Sequence, residues 1–368
     1  MTSLDAVPDA APPTVPDAAV PDAAVPAAPG YRSPLLDAAG AVGAEGADAG
    51  VAWHYGDPTR EQRLLVEGLA VVDLSHRGVV TVTGPDRLSW LHSITTQALK
   101  ELPAGTSTEA LVLSPKGHVE HALHLVDDGT TTWLSVEPGT VDALTDWLRR
   151  MQFMLRVEVA DRTADLAVLG EPVGREAATG EPVAWCDPWP RLAAGSTSYA
   201  GVAEEEHPAV GRRWREVLVP RGDLRAAVGD RPLAGTWAAE ALRVAAWRPR
   251  LGFETDHRTI PHEVDWLRTA VHLTKGCYRG QETVARVHNL GRPPRRLVML
   301  HLDGSAHHLP LSGADVLDGE RRVGQVTTAA RHHELGPIAL ALVKRSLPLA
   351  STLLVDGVSA AQELVVRQ

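Results

Sequence analysis

The sequence predicts an α+β fold that ends in a small all-β barrel, and three observations carry that prediction. Short apolar runs bounded by turn residues fill the stretch from Val79 to Val136. Segments with apolar residues at helical spacing interrupt them, as at Leu88, Leu91 and Ile94 and again at Val141, Leu144, Leu148 and Met151. After Gly291 the composition shifts, and strand-like runs at 297–302, 322–327, 337–343, 353–355 and 364–366 are separated by Gly, Pro and Asp turns. No Gly-rich phosphate loop of the dinucleotide or Walker type is present, which argues against a doubly wound parallel sheet.

Residues 1–50 come first and read as a disordered tail. Val-Pro-Asp-Ala-Ala recurs at 7–11, 15–19 and 20–24. Pro holds the backbone extended, Ala offers little to bury and Asp adds charge, so ordering entropy is not offset. The ordered body should begin near Ala52 or Trp53. Val79–Val82 reads as a strand, and Gly84-Pro85-Asp86 as a turn that opens a helix. Strands follow at 110–113 and 119–126. Asp127-Asp128-Gly129 turns into a strand over Thr131–Val136, and a helix starts near Thr140. Strands are expected around 153–160 and 165–169, and the Gly- and Pro-rich stretch 171–211 should be the least regular part. A strand over Trp214–Val219, a helix from about Asp223 and a helix over roughly 237–246 complete the region 51–292. Arg292-Pro293-Pro294-Arg295-Arg296 reads as a hinge into a barrel domain, 293–368.

The bulk numbers exclude several function classes. The 368 residues carry a net charge of −10, and the first fifty hold seven acids against Arg32, which is −6. The body is therefore only mildly acidic, a poor general binder of nucleic acid. Two cysteines, Cys186 and Cys277, make neither a disulfide framework nor a four-thiolate cluster site. No run of 18 apolar residues exists, so no membrane partner is expected, and the N-terminus reads as neither secretory signal nor transit peptide. The cytoplasm is the default compartment.

The densest signal is Lys275-Gly276-Cys277-Tyr278-Arg279-Gly280-Gln281-Glu282, running on to Arg286 and Gly291. Lys275 is one of four lysines in a chain that otherwise writes positive charge as Arg. Cys277 sits between two cations and two glycines, just before a helix-like run, a setting that favours a thiolate. From these residues alone, a reactive thiolate and a small buried core residue remain equally open. Gln281 and Glu282 are candidates to orient a ligand or cap the helix. His257, His262 and His272 lie nearby with Asp256, Glu263 and Asp265, but no metal-ligand spacing is present, and no metal is expected. His121 and His124 should face opposite sides of their strand.

The motif resembles the signature of the YgfZ family, folate-binding proteins related to the T-protein (aminomethyltransferase) of the glycine cleavage system. Ile260-Pro261, Leu242-Arg243, Lys116-Gly117 and Gly84 with Asp86 extend the resemblance over about residues 52–368. It implies a T-protein-like fold, a discontinuous pair of α+β units with a C-terminal barrel around a cleft for tetrahydrofolate. It also implies work in assembly or repair of iron–sulfur clusters in client proteins, with effects on tRNA thiolation. Cys277, Lys275, Tyr278, Gln281 and Glu282 would carry the chemistry, Lys275 and Arg279 keeping the thiol ionised. Arg243, Trp237, Arg286 and Gly280 would hold the folate. Glu120-His121 stands where T-proteins carry an Asp pair. The alternatives are a tetrahydrofolate-dependent C1 transferase using Glu120, and a docking module without chemistry that takes a protein or tRNA on the basic run Arg279–Arg296.

Overall fold

The computed structural model describes residues 30–305 and 308–367. Two five-stranded sheets build the body. The first is antiparallel throughout, in the order Ser107–Leu113, Val119–Asp127, Thr131–Val136, Gly78–Thr83, Glu158–Asp161. The second runs Ala184–Cys186, Arg215–Pro220, Leu166–Glu171, Val71–Asp73, Leu233–Ala234, and only its last pair is parallel. The chain passes from the second sheet at Asp73 into the first at Gly78 and returns at Leu166, so the first unit is one continuous stretch inserted into the second, which is discontinuous in sequence. Six strands from Arg295 to Leu364 close the C-terminal barrel.

Local sequence explains the principal helices. Pro58–Val66 starts with Asp57 accepting a hydrogen bond from the Arg60 N–H at 2.9 Å, with Pro58 at a position that needs no donor. Val141–Met151 buries Val141, Leu144 and Leu148 on one stripe, with Asp142 in its first turn and Arg149 and Arg150 in its last, as the helix dipole favours. That stripe packs on Val80, Leu123 and Leu134 of the first sheet. A central core joins Leu111 to Trp247, Trp266 and Val284 and to Leu297, Met299 and Leu340 of the barrel, which locks the barrel against the body. Val298, Leu300, Val326 and Val343 fill the barrel interior.

Several expectations need correction. The tail does not extend to residue 50. From Ser33 onward the chain forms a strap in which Ser33, Leu35 and Asp48 are buried, because Ser33 hydrogen-bonds Asp73 and Asp48 meets Arg250 and His76. The repeats at 7–24 lie outside the described residues. No strand forms at 153–157, where Phe153 and Met154 are exposed. The barrel also contains a strand at Asp315–Asp318 that lacks a local signal, since only Val316 and Leu317 are apolar there and pairing with Arg321–Gln325 sustains it. The last strand is Val358–Leu364, not 364–366.

Candidate functional site

A cavity of about 460 Å³ opens where the two sheets, the helix Thr236–Ala245 and the barrel hairpin tip His332–Leu335 meet. The alternation of Val119–Asp127 sends Ala122 and His124 to its wall, while His121 does not line it. Gln62 fixes the hairpin tip from the helix Pro58–Val66, donating to Arg331 O at 3.0 Å and accepting from the His333 N–H at 2.9 Å.

The wall is a chain of buried ion pairs assembled from distant segments. Arg77 meets Glu137 at 2.9 Å and Glu216 at 2.8 Å. Arg250 meets Asp48 at 2.6 Å, Glu137 at 2.8 Å and Glu240 at 3.3 Å. Arg243 closes on Glu240 at 2.9 Å and Glu254 at 2.6 Å, and Arg248 on Glu109 at 2.7 Å and Asp187 at 3.3 Å. Burial pushes the Glu216 carboxyl up, but the Arg77 guanidinium and then His124 outweigh it and hold it well below the carboxylate range. Glu137 behaves likewise between Arg250 and Arg77. Burial also opposes the charge on Arg250, yet Asp48 and Glu137 raise its pKa well above the usual value. Two buried donors on this wall, Arg248 Nη1 and Arg77 Nε, have no partner among the described residues. These acids and bases sit in unrelated stretches of sequence, and periodicity gives no signal for them. The run Asp73-Leu74-Ser75-His76-Arg77 is the one compact cluster that could have drawn attention.

The signature segment lies elsewhere. Cys277 is exposed, and neither it nor Lys275 lines the cavity. Lys275 is not free to face the thiol: its ammonium donates to the carbonyls of His92, of Thr95 at 2.6 Å and of Gln97 at 2.9 Å. Burial pushes its pKa down to about 7. Arg279 is committed to Glu120, Nη1 to Oε2 at 2.6 Å. That pair also places Glu120 outside the cavity wall. Gly280 does need to be glycine. Its φ is +81°, and a Cβ there would stand 2.5 Å from Ser114 O. Gly276 has open space around it, so no close approach accounts for it. Tyr278 and Gln281 line a separate depression of about 470 Å³ with Val284 and His288. Gln281 donates to Lys275 O at 3.4 Å, and neither Gln281 nor Glu282 caps the helix Gln281–Leu290 through its side chain. Glu282 and Arg286 are exposed on that helix.

The expected folate contacts divide in the same way. Arg243 does line the cavity, but its guanidinium is already bound to Glu240, Glu254, Arg248 O and Thr328 Oγ1. Trp237 stacks on Trp53 at 5.4 Å and does not reach the cavity, and neither Arg286 nor Gly280 does. The acids among the signature's histidines are also occupied: Asp256 and Glu263 hold Arg295, and Asp265 holds Arg268. No set of three metal-ligating side chains forms among the described residues. The basic run is largely consumed, since Arg279 and Arg295 are paired and Arg296 is buried, donating to Leu347 O at 2.7 Å. No described helix is long and apolar enough to cross a membrane.

Comparison with known proteins agrees with this architecture. Residues 34–171 match the GCVT N-terminal domain, and residues 295–364 match the glycine cleavage T-protein C-terminal barrel domain. An aminomethyltransferase of Symbiobacterium thermophilum is 28% identical over 306 residues, 75% of this chain and 78% of that protein. One from Thermotoga maritima is 26% identical over 360 residues, 92% of this chain and 96% of that protein. The crystal structure of the glycine cleavage aminomethyltransferase from Bartonella henselae superposes with a TM-score of 0.69 over 91% of this chain and 95% of that one, at 19% identity. The fold is therefore T-protein-like.

Proposed function

We propose that this chain, which carries a GCVT N-terminal domain and a T-protein C-terminal barrel, binds a reduced folate in the central cavity and serves iron–sulfur cluster assembly or repair in client proteins through Cys277. The observation that carries the folate half is the cavity itself. Its volume of about 460 Å³ suits a ligand of that size. Its wall offers an ionised Glu216 to accept from a heterocycle's N–H groups, and the orphaned Arg248 Nη1 to donate to a carbonyl or carboxylate. When bound, a reduced folate supplies an amine that carries one-carbon units. The residues of the chain would bind and orient it in a pocket whose lining includes the hairpin tip His332–Leu335.

Exposure of Cys277 outside the cavity lining supports the second half, because a thiol that serves clients must be reachable by them. Any cluster would draw ligands from the client as well, the chain having two cysteines. The rival reading is aminomethyl transfer, favoured by the names of the relatives. Against it stands Glu120, the carboxylate that Val119–Asp127 offers for the folate amine, which Arg279 holds outside the cavity.

The test combines two measurements. Calorimetric titration with tetrahydrofolate should show binding, and incubation with an aminomethylated lipoyl carrier protein should yield no methylenetetrahydrofolate. In a strain lacking this gene, wild type should restore the activity of an iron–sulfur enzyme and Cys277→Ala should not. Restoration by Cys277→Ala would remove the thiol from the proposal, and catalytic turnover of the carrier would establish the rival.

A further inference from the structure

We propose that His124, backed by Trp185, is the stacking platform for the flat ring system of the cavity's ligand, a positioning residue for its heterocycle. The inference rests on the folate reading and adds to it the surface on which the ring lies. The two rings are parallel, with centroids 3.7 Å apart and an interplanar angle of 4°. Trp185 is 2% exposed, and its indole N–H is fixed on Thr108 O at 2.6 Å. It is therefore a rigid backing plate whose surface is already spent. The His124 side chain keeps 15% exposure.

That remaining surface can be located by elimination. The Nδ1 edge faces Glu216 Oε2 at 3.1 Å and Arg77 Nη1 at 3.3 Å, so it is occupied whichever ring nitrogen carries the proton. The Nε2 edge stands 4.0 Å from Glu109 Oε1. One face lies on Trp185. By elimination the surface left to the cavity is the opposite face, a flat surface held by Glu216, Arg77 and the Trp185 indole. A planar conjugated ring stacks on such a face with little loss of side-chain entropy, while Glu216 stands beside it to accept from ring N–H groups. A flexible or aliphatic ligand would gain nothing from this arrangement.

The experiment is calorimetric titration of the full-length protein with 5-formyltetrahydrofolate, comparing wild type with His124→Val and His124→Phe. Val removes the flat face, whereas Phe keeps it and gives up the Nδ1 contacts to Glu216 and Arg77, which still hold each other, with Ser135 also on Glu216. We expect His124→Val to raise Kd at least about tenfold, the scale of one lost stacking partner. His124→Phe should stay within about threefold of wild type. Equal weakening in both variants, or wild-type affinity in His124→Val, overturns the platform and leaves the folate reading standing. Wild-type protein that binds no folate overturns both. Should His124→Val fail to fold by near-ultraviolet circular dichroism, His124→Gln replaces it as the polar, non-aromatic comparison, with the same tenfold loss expected.

Discussion

Three backbone carbonyls, those of His92, Thr95 and Gln97, converge on the ammonium of Lys275. The carbonyls belong to the C-terminal end of the helix Arg87–Ile94 and the turn that follows it, so one side chain ties the signature loop to the first sheet's helix. Tyr278 lies 5.2 Å from the same ammonium. Replacing Lys275 with Met would leave these acceptors buried without a donor, and we expect a loss of about 2 kcal/mol in urea denaturation. Unchanged stability would mean that water reaches the carbonyls. The scarcity of lysine marks this residue in the sequence, but scarcity does not say which groups will surround it. The carbonyls come from residues some 180 positions away, and backbone acceptors leave no trace in composition.

Two glycine turns meet at the start of the helix Gln281–Leu290. Gly280 has no room for a Cβ against Ser114 O, and Gly117, at φ +79°, has none against Thr283. The Lys116-Gly117 turn and the signature loop are thus fitted to each other through missing side chains. Gly280→Ala combines a positive φ with a backbone clash and should cost more than about 2 kcal/mol, whereas Gly276→Ala should leave the denaturation midpoint unchanged. A neutral Gly280→Ala would show that the two turns are not in contact. At this scale the sequence is a good guide where an element is held by its own pattern. The hairpin at Asp127-Asp128-Gly129, the amphipathic helix from Val141 and most barrel strands follow from spacing and turn chemistry. The strand Asp315–Asp318 and the strap before residue 51 are held by partners far along the chain, and their local sequence is silent.

The whole molecule buries several neutral histidines. Burial lowers the pKa of His262 and His332 to about 4 and that of His207 to about 3, against an ordinary value of 6.5. Between pH 6.5 and 4 the unfolded chain therefore binds more protons than the folded one, so stability must fall as pH falls through that window. Below it, the ionised carboxylates Glu216 and Glu137 add a second loss, because their folded pKa values lie beneath the unfolded ones. Scanning calorimetry should show Tm level above pH 7 and lower by at least roughly 5 °C at pH 5. A His262→Phe variant should show a shallower slope in the upper window, and a Tm that stays level down to pH 5 would refute the account. The cavity was the least legible feature in the sequence for the same whole-molecule reason. Asp48, Arg77, Glu137, Glu216, Glu240 and Arg250 come from segments spread over two hundred positions, and only the closed fold brings them together. Asp48 gives this a practical edge. Anyone shortening the gene at the end of the low-complexity stretch, near codon 50, would delete the one acid that the strap carries inward. Arg250 would keep Glu137 and Glu240 but lose its partner at 2.6 Å, and His76 would lose its acceptor. Weak ligand binding or low stability in such a shortened product would be an artefact of the trimming, not a property of the native protein.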